Sequence, residues 1–249
     1  MAVSPNSMRI PRIYEPIPLA VGSEIALSAN AVQHLIKALR LSTGDPVVVF
    51  NGEGSDFSGE LVVVSKSKVK VRLQSSWVIT NESPVAVDIG LGMSLGDRME
   101  YAIQKATETG VHSVTPLETV RSELRLKGER AKKKQQRWQQ VAISAAEQCG
   151  RATVPVIQPV LTLPNWCAQQ PETALRLVLH HEHATRLGDL PTPDSVSALI
   201  GPEGGLDVRD LDAALETGFT AVVLGPRVLR TETAPVALLA AVQTLWGDY

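Results

Sequence analysis

The chain has 249 residues, of which 44% are apolar and 20% are charged, and its formal net charge is −2. No run of 18 apolar residues is present, and two cysteines, Cys149 and Cys167, have neither disulfide-framework nor metal-ligand spacing. These features exclude a membrane-spanning chain and a disulfide scaffold, and they are typical of a globular protein with one large or two small domains. We therefore expect a cytoplasmic protein.

The charge is distributed unevenly along the chain. Residues 121–151 carry nine basic and three acidic side chains, whereas residues 152–249 carry five basic and eleven acidic ones. A basic stretch in a chain that is not basic overall indicates a surface that binds a polyanion. A solvated helix face is the alternative interpretation.

The first 80 residues predict several short strands and one helix. The segments VVVF, FSGELVVV and VKVRL are rich in β-branched residues and are bounded by turns. Between the turns, Ser28 can cap a helix with an apolar stripe at helical spacing. The stripe consists of Val32, Leu35, Ile36 and Leu39. This combination predicts a small β-barrel domain over residues 8–79.

The composition changes at TNESP, residues 80–84, which is typical of a linker. Strands then alternate with helices up to the end of the chain, which predicts an α/β domain with a mostly parallel sheet over residues 84–249. Asp97 and Glu100 have the spacing of a capping box at the start of one helix. A later, longer helix has an apolar stripe that begins at Trp138.

Two strands of this domain run into glycine turns. The segment SALI is followed by GPEGG, residues 201–205, and the segment AVV is followed by LGPRVLRT, residues 224–231. A strand that ends in a glycine turn leaves backbone N–H and C=O groups beyond the sheet edge, so two such ends can form a pocket lined by backbone. The alternative is that both segments are ordinary strand-to-helix turns.

Two further motifs have simpler interpretations than their first appearance indicates. GLGMSLG, residues 90–96, follows a strand, but three residues separate its second and third glycines where a dinucleotide-binding fingerprint has two. A Rossmann-type NAD-dependent oxidoreductase is therefore a minor alternative. HHEH, residues 180–183, places its histidines without the i, i+4 spacing of zinc helices, so we predict no metal site.

Six segments carry a family resemblance: MRIPRIY, FNGEG, IQKATETGV, AAEQCGR, LIGPEGG and LGPRVLRTETA. With them the chain resembles the RsmE family of 16S rRNA uridine methyltransferases, which belong to the SPOUT class, over nearly its whole length from Met8. The resemblance implies an N-terminal PUA-like β-barrel that binds RNA, a C-terminal trefoil-knotted α/β methyltransferase domain and a homodimer. It also implies S-adenosylmethionine as the methyl donor, and methylation of N3 of a specific uridine in 16S rRNA of the small ribosomal subunit to give 3-methyluridine.

The resemblance places the cofactor-binding residues in three knot loops. These residues are Leu179, His180, Gly201, Pro202, Glu203, Gly204, Leu224, Gly225, Leu229, Arg230 and Thr231. Arg230 is predicted to hydrogen-bond a uracil carbonyl and stabilise the anion that forms when N3 loses its proton. Glu203 or Glu232 is predicted to orient Arg230 or to take the proton. An internal salt bridge between Arg230 and Glu232 is the alternative.

Phosphate contacts are expected to dominate RNA binding. The candidates for the RNA contacts are Arg9, Arg12, Lys37, Arg40, Lys105, Arg121, Gln148 and Arg151. A non-catalytic RNA-binding ribosome assembly factor is the second alternative function. It accounts for the basic patches but leaves the two glycine turns without a role.

Overall fold

The structure is a computed structural model that describes residues 10–65, 68–181 and 184–249. It divides into two compact units, of which the first comprises Met1–Glu82 and Ala146–Val154 and the second comprises Ser83–Ala145 and Pro155–Tyr249. The division at residues 82 and 83 falls within the predicted linker. The first unit also includes residues 146–154, which the sequence analysis assigned to the second domain.

The first unit contains a five-stranded sheet in the order β1-β3-β4-β5-β2. The strands are β1 (Arg12–Tyr14), β2 (Glu24–Ala26), β3 (Pro46–Phe50), β4 (Ser55–Ser65) and β5 (Lys68–Val78). β1 is parallel to β3, and the other neighbours are antiparallel. Alternating side chains such as Val47, Val49, Val69 and Val71 are buried in the core. The predicted strands VVVF, FSGELVVV and VKVRL are thus confirmed.

The helix of this unit begins as predicted but then widens. The Ser28 hydroxyl accepts a backbone hydrogen bond of 3.3 Å at the start of α1 (Ala29–Val32), and the helix continues as a π-helical segment, Gln33–Ala38. A π turn changes which side chains face the sheet. Leu35 is fully buried, whereas Leu39 is 44% exposed although the helical period placed it on the apolar stripe.

Arg12 lies at the centre of a buried polar network in the first unit. Its guanidinium donates to both carboxylate oxygens of Asp56, at 2.6 and 2.8 Å. It also donates to the carbonyl oxygens of Ala146 and Arg151, at 2.9 and 2.8 Å. The Arg151 side chain in turn pairs with Glu82 at 2.6 Å. The network connects residues 146–154 to the sheet, because a buried cation is stable only with its partners in place.

The second unit is an α/β domain built on a sheet in the order β11-β13-β10-β12-β6-β7-β8, with β9 paired to β7. Its strands are β6 (Ala86–Gly92), β7 (Ser113–Glu118), β8 (Val156–Ile157), β9 (Leu161–Thr162), β10 (Leu175–Leu179), β11 (Thr185–Arg186), β12 (Ser195–Ile200) and β13 (Thr220–Val223). The neighbouring strands are parallel in each of these pairs. The predicted α/β class with a mostly parallel sheet is confirmed.

Helices connect and cover these strands. They are α2 (Arg98–Glu108), α3 (Gly128–Cys149, which ends in the first unit), α4 (Leu163–Ala168), α5 (Val208–Glu216) and α6 (Ala234–Trp246). The capping box predicted for α2 does not form, because Asp97 makes no capping hydrogen bond and the Glu100 carboxylate pairs with Arg137 and Lys134 of α3. None of the described helices combines the length and hydropathy that a bilayer crossing needs.

Candidate active site

Three neighbouring strands end side by side at one edge of the parallel sheet. The strand order is β13-β10-β12. Near the end of β10, Leu179 is paired with Val222 of β13 and Val178 is paired with Leu199 of β12. Because parallel strands point the same way, the segments that follow them leave at the same edge. The two predicted glycine turns, residues 201–205 and 224–231, are therefore neighbours, with His180 between them.

A cleft of about 700 Å³ opens beside the end of β13. Its lining residues are Arg186, Leu187, Val223, Leu224, Gly225, Pro226, Ala237 and Ala241. The volume lies in the range of small-molecule sites. Gly225 has φ +135°, a conformation that side chains disfavour, so glycine is required at this bend. Sequence reasoning predicted Leu224 and Gly225 but missed Arg186 and Leu187, which lie on a two-residue strand and a short turn without a recognisable motif.

The end of β6 lies directly against the first glycine turn. A Cβ atom on Gly92 would lie 2.4 Å from the backbone nitrogen of Pro202 and 2.8 Å from the carbonyl carbon of Gly201. Both are backbone atoms, so no side-chain rotation could relieve the clash. The 201–205 turn can therefore occupy its position only because residue 92 is a glycine. Sequence reasoning considered Gly92 only as part of a dinucleotide motif.

Glu203, in the same turn, is held by groups at the start of α2. Its Oε1 atom accepts hydrogen bonds from the Leu95 backbone N–H at 2.9 Å and from the Arg98 guanidinium at 2.7 Å. Partial burial acts to raise the pKa of Glu203, but the hydrogen bonds outweigh it and the pKa lies below its usual value. A carboxylate with a lowered pKa is a weaker base than usual, and the Oε1 atom of Glu203 is already occupied by two donors. Sequence reasoning missed Arg98, which lies more than a hundred residues away.

Arg230 is exposed in the second glycine turn, residues 224–231. Its carbonyl oxygen accepts hydrogen bonds from Thr233 N–H at 2.9 Å and Ala234 N–H at 3.0 Å, which fix the backbone at the start of α6. Arg230 forms no ion pair with any residue in the described ranges. The alternative of an Arg230–Glu232 salt bridge therefore lacks support, and Glu203 pairs with Arg98 instead of orienting Arg230. Leu229 is half-buried and Thr231 is buried beside it.

The structure corrects two of the predicted RNA contacts. The side chains of Arg12 and Arg151 are only 11% and 8% exposed and pair with Asp56 and Glu82. A buried guanidinium that is paired with a carboxylate cannot turn outward to a phosphate without losing that partner. We assign both arginines to the stability of the first unit and remove them from the candidate RNA surface. Arg9 lies outside the described residues.

The remaining candidates are on the surface. Lys37, Arg40 and Gln148 of the first unit are exposed. In the second unit, Lys105 pairs with Glu108 on its own helix at 2.8 Å. Arg121 donates to the carbonyl oxygen of Gly204 at 3.1 Å. Arg121 thus supports the glycine turn, although its side chain remains 49% exposed.

Comparisons with known proteins agree with this architecture. A family model described as an RNA methyltransferase domain matches residues 81–243, and one described as an RNA methyltransferase PUA domain matches residues 27–74. The ribosomal RNA small subunit methyltransferase E of Bacillus subtilis is 34% identical over 238 residues, which cover 90% of this chain and 92% of the relative.

Two solved structures are similar over nearly the whole chain. One, from Legionella pneumophila, is described as a methyltransferase in complex with bound S-adenosylmethionine. It has a TM-score of 0.93 and is 35% identical, and the match covers 97% of this chain and 100% of that chain. The other is a ribosomal RNA small subunit methyltransferase E from Neisseria gonorrhoeae bound to S-adenosylmethionine. It has a TM-score of 0.90 and 37% identity, with the same coverage.

Proposed function

This chain belongs to the ribosomal RNA small subunit methyltransferase E family, and on that premise we propose that it methylates N3 of one specific uridine in 16S rRNA to give 3-methyluridine. The chain is an S-adenosylmethionine-dependent rRNA methyltransferase. The observation that carries the N3 proposal is Arg230, an exposed cation without an ion-pair partner among the described residues, at the edge where the cofactor-binding turns meet.

The residues at the sheet edge fit the cofactor. The cleft beside β13 has apolar walls from Leu187, Leu224 and Ala241, which suit the adenine ring. Glycines at positions 201 and 225 leave the backbone open to hydrogen-bond the ribose and the polar edge of adenine. We propose that Leu179, His180, Gly201 to Gly204, Leu224, Gly225 and Leu229 to Thr231 contact the cofactor, and that these segments form a trefoil knot around it.

The chemistry requires proton removal from an imide nitrogen and methyl transfer to it. S-adenosylmethionine supplies an activated methyl group on a sulfonium. Arg230 donates a hydrogen bond to a uracil carbonyl oxygen, where negative charge accumulates once N3 loses its proton. Glu232 is the candidate for accepting that proton, because Glu203 is already engaged by Arg98. Glu203 instead keeps the 201–205 turn in position.

The Arg98→Ala substitution is expected to weaken S-adenosylmethionine binding by about fivefold. The Arg98–Glu203 pair is partly exposed, with side chains 43% and 30% exposed, and such a pair is worth on the order of 1 kcal/mol. Titration calorimetry measures the change. Arg98→Lys should recover most of the affinity, and Arg209→Ala, which removes an exposed arginine paired with Asp207, serves as the control. Equal affinity of wild type and Arg98→Ala would contradict this role.

We further propose that the chain forms a homodimer through α6. One face of α6 is buried in the second unit and Ala237 and Ala241 line the cofactor cleft, whereas Ala240 is half-buried and Leu245 is 47% exposed outside that cleft. An apolar face of this kind is suited to a protein partner.

We also propose that the five-stranded sheet of the first unit closes into a PUA-like barrel that contacts RNA through Lys37 and Arg40. We propose further that the protein acts in the cytoplasm, where the small subunit is assembled.

The decisive experiment uses small ribosomal subunits from a strain that lacks the corresponding methyltransferase. The subunits and transcribed 16S rRNA are incubated separately with the protein and with S-adenosylmethionine labelled in its methyl group. We expect label in 3-methyluridine, identified by nucleoside mass spectrometry, and a single reverse-transcription stop. Label in a different nucleoside would overturn the N3 proposal. RNA binding without any transfer would favour the assembly-factor alternative, and binding of NAD would favour the oxidoreductase.

A further inference from the structure

A shallow cavity of about 560 Å³, open to solvent, lies between α2 and α3 of the second unit. Its polar lining consists of Asp97, Glu100, Tyr101, Gln104, Arg137, Gln140 and Ser144, of which Glu100 is paired with Arg137 and Asp97 lies at the start of α2. Its walls therefore combine one aromatic ring with two amides and a hydroxyl. Amides and hydroxyls both donate and accept hydrogen bonds, as the edges of nucleic-acid bases do. The volume is that of a small-molecule site.

The aromatic ring in this cavity is placed for stacking. Tyr101 is 50% exposed, although tyrosine rings in a folded domain usually bury most of their surface. The Lys105 ammonium, on the following turn of α2, lies over the Tyr101 ring at 6.0 Å from its centre and pairs with Glu108, so a base would stack on the opposite face of the ring. An exposed aromatic face with a cation beside it is the arrangement that proteins use to stack an unpaired base and hold its phosphate.

The cavity is held in shape by ion pairs between its two helices. The Glu100 carboxylate on α2 pairs with Arg137 at 2.7 Å and with Lys134 at 3.4 Å, both on α3. Trp138 of α3 is fully buried beneath them and Lys134 lies 5.7 Å from its ring. A site whose walls are already fixed loses little conformational entropy when a ligand binds.

The cavity continues into a basic stripe along α3. Arg130, Lys133, Arg137, Gln140 and Ser144 succeed one another at intervals of three or four residues, which places them on one face of the helix, and all five are exposed. The stripe is cationic at Arg130 and Lys133 and uncharged at Gln140 and Ser144, and Arg137 between them is paired with Glu100. Arg130 and Lys133 would bind phosphates, and the cavity would bind a base.

We propose that this cavity is a subsite for one unpaired nucleotide of the RNA substrate, whose base stacks on Tyr101 while Gln104 and Gln140 contact its polar edge. Arg130 and Lys133 hold the phosphates of the neighbouring nucleotides. The proposal rests on the proposed function, because it takes RNA as the substrate. It assigns the basic stretch found in the sequence to α3 itself, in place of the buried Arg12 and Arg151.

A second copy of the chain fits this cavity less well than RNA does. Protein–protein interfaces are depleted of charged side chains at their centres, yet the cavity contains Glu100 and Arg137 and adjoins Arg130 and Lys133 on the same helix face. The apolar face of α6 offers a better surface for a second copy. A phosphate backbone, in contrast, is complementary to the stripe on α3.

The test measures RNA affinity directly. Dissociation constants for transcribed 16S rRNA and for undermethylated small subunits are measured by filter binding at several salt concentrations, alongside S-adenosylmethionine affinity and molecular mass in solution. Tyr101→Ala should weaken binding of the preferred substrate by roughly tenfold. Tyr101→Phe, which keeps the ring, should remain within twofold of wild type. Tyr249→Ala removes another exposed tyrosine, 64% exposed, and should have no effect.

The cationic stripe has a separate signature. An Arg130→Gln/Lys133→Gln double variant should reduce the slope of log affinity against log salt by about 1.4, or about 0.7 for each phosphate that is no longer neutralised, whereas Tyr101→Ala should leave the slope unchanged. The subsite is overturned if Tyr101→Ala binds RNA within twofold of wild type, or if it dissociates the dimer, since Tyr101 would then belong to a protein interface. Wild-type protein that binds RNA but transfers no methyl group would instead refute the proposed function alone.

Discussion

Replacing Arg230 by alanine is expected to lower the single-turnover rate of methyl transfer by about 10²–10³-fold, the loss typical when a preorganised hydrogen-bond donor to a developing anion is removed. The imide nitrogen of uridine is a weak nucleophile until its proton leaves, and the resulting charge is shared by the two carbonyl oxygens that flank it. Arg230 is exposed and has no ion-pair partner among the described residues, so its five donors are available to such an oxygen.

The controls for Arg230 come from the same segment. Arg227→Ala removes a second exposed arginine three residues away and should transfer methyl groups at nearly the wild-type rate. Arg230→Lys keeps the charge but loses the planar fork, so we expect an intermediate rate. The proposed dimer should survive in all three variants, and the single-turnover rates are compared at saturating S-adenosylmethionine because Arg230 is also a proposed cofactor contact. A rate for Arg230→Ala within a few fold of wild type would remove Arg230 from the chemistry, and loss of the dimer would assign it a structural role.

Local patterns were sufficient to predict the scaffold of the site. The strand SALI and the strand that ends at Val223 were recognisable from their apolar residues and the glycine turns that follow. In the structure their carboxyl ends flank that of β10. Parallel strands joined by helices leave the sheet at the same edge, so the class of fold places both turns at one edge, while the strand order that makes them neighbours came from the structure.

Long-range pairing was beyond the reach of those patterns. Arg12 and Arg151 carry charge in basic segments, and nothing local reveals that Asp56 and Glu82 lie across the fold as their partners. Arg98 is likewise separated from Glu203 by 105 residues. A charge count treats every cation as solvated, whereas burial depends on which carboxylate the tertiary structure brings into hydrogen-bonding range.

Helix geometry produced the other differences. Leu39 was placed on the apolar stripe by the ordinary helical period, and the π-helical segment Gln33–Ala38 breaks that period. Glu100 had the spacing of a capping box, yet it pairs with Arg137 and Lys134 of the neighbouring helix. Leu39 is displaced by a change of helical period, whereas Glu100 finds partners on another helix that the local sequence does not contain.

The Gly92→Ala substitution is expected to lower kcat/KM by about 100-fold, mainly through loss of S-adenosylmethionine affinity. The added Cβ would approach the Pro202 nitrogen to 2.4 Å, about 1 Å closer than ordinary van der Waals contact. Because both neighbouring atoms belong to the backbone, relief requires the 201–205 turn to move as a unit, and a displacement of about 1 Å at such a site can cost roughly two orders of magnitude. The carboxylate of Glu203 would move with it.

Two other glycines separate loss of the site from loss of the fold. Gly90→Ala would place its Cβ 2.8 Å from side-chain atoms of Leu117 and Trp166 in the core, so it should destabilise the unit by about 1–3 kcal/mol with a smaller effect on cofactor affinity. Gly188→Ala meets nothing within 4 Å and should resemble wild type. Calorimetric S-adenosylmethionine titrations and thermal unfolding of the three variants provide the comparison. Equal S-adenosylmethionine affinity of Gly92→Ala and Gly188→Ala would contradict this prediction, because it would show that the position of the 201–205 turn does not require a glycine at the end of β6.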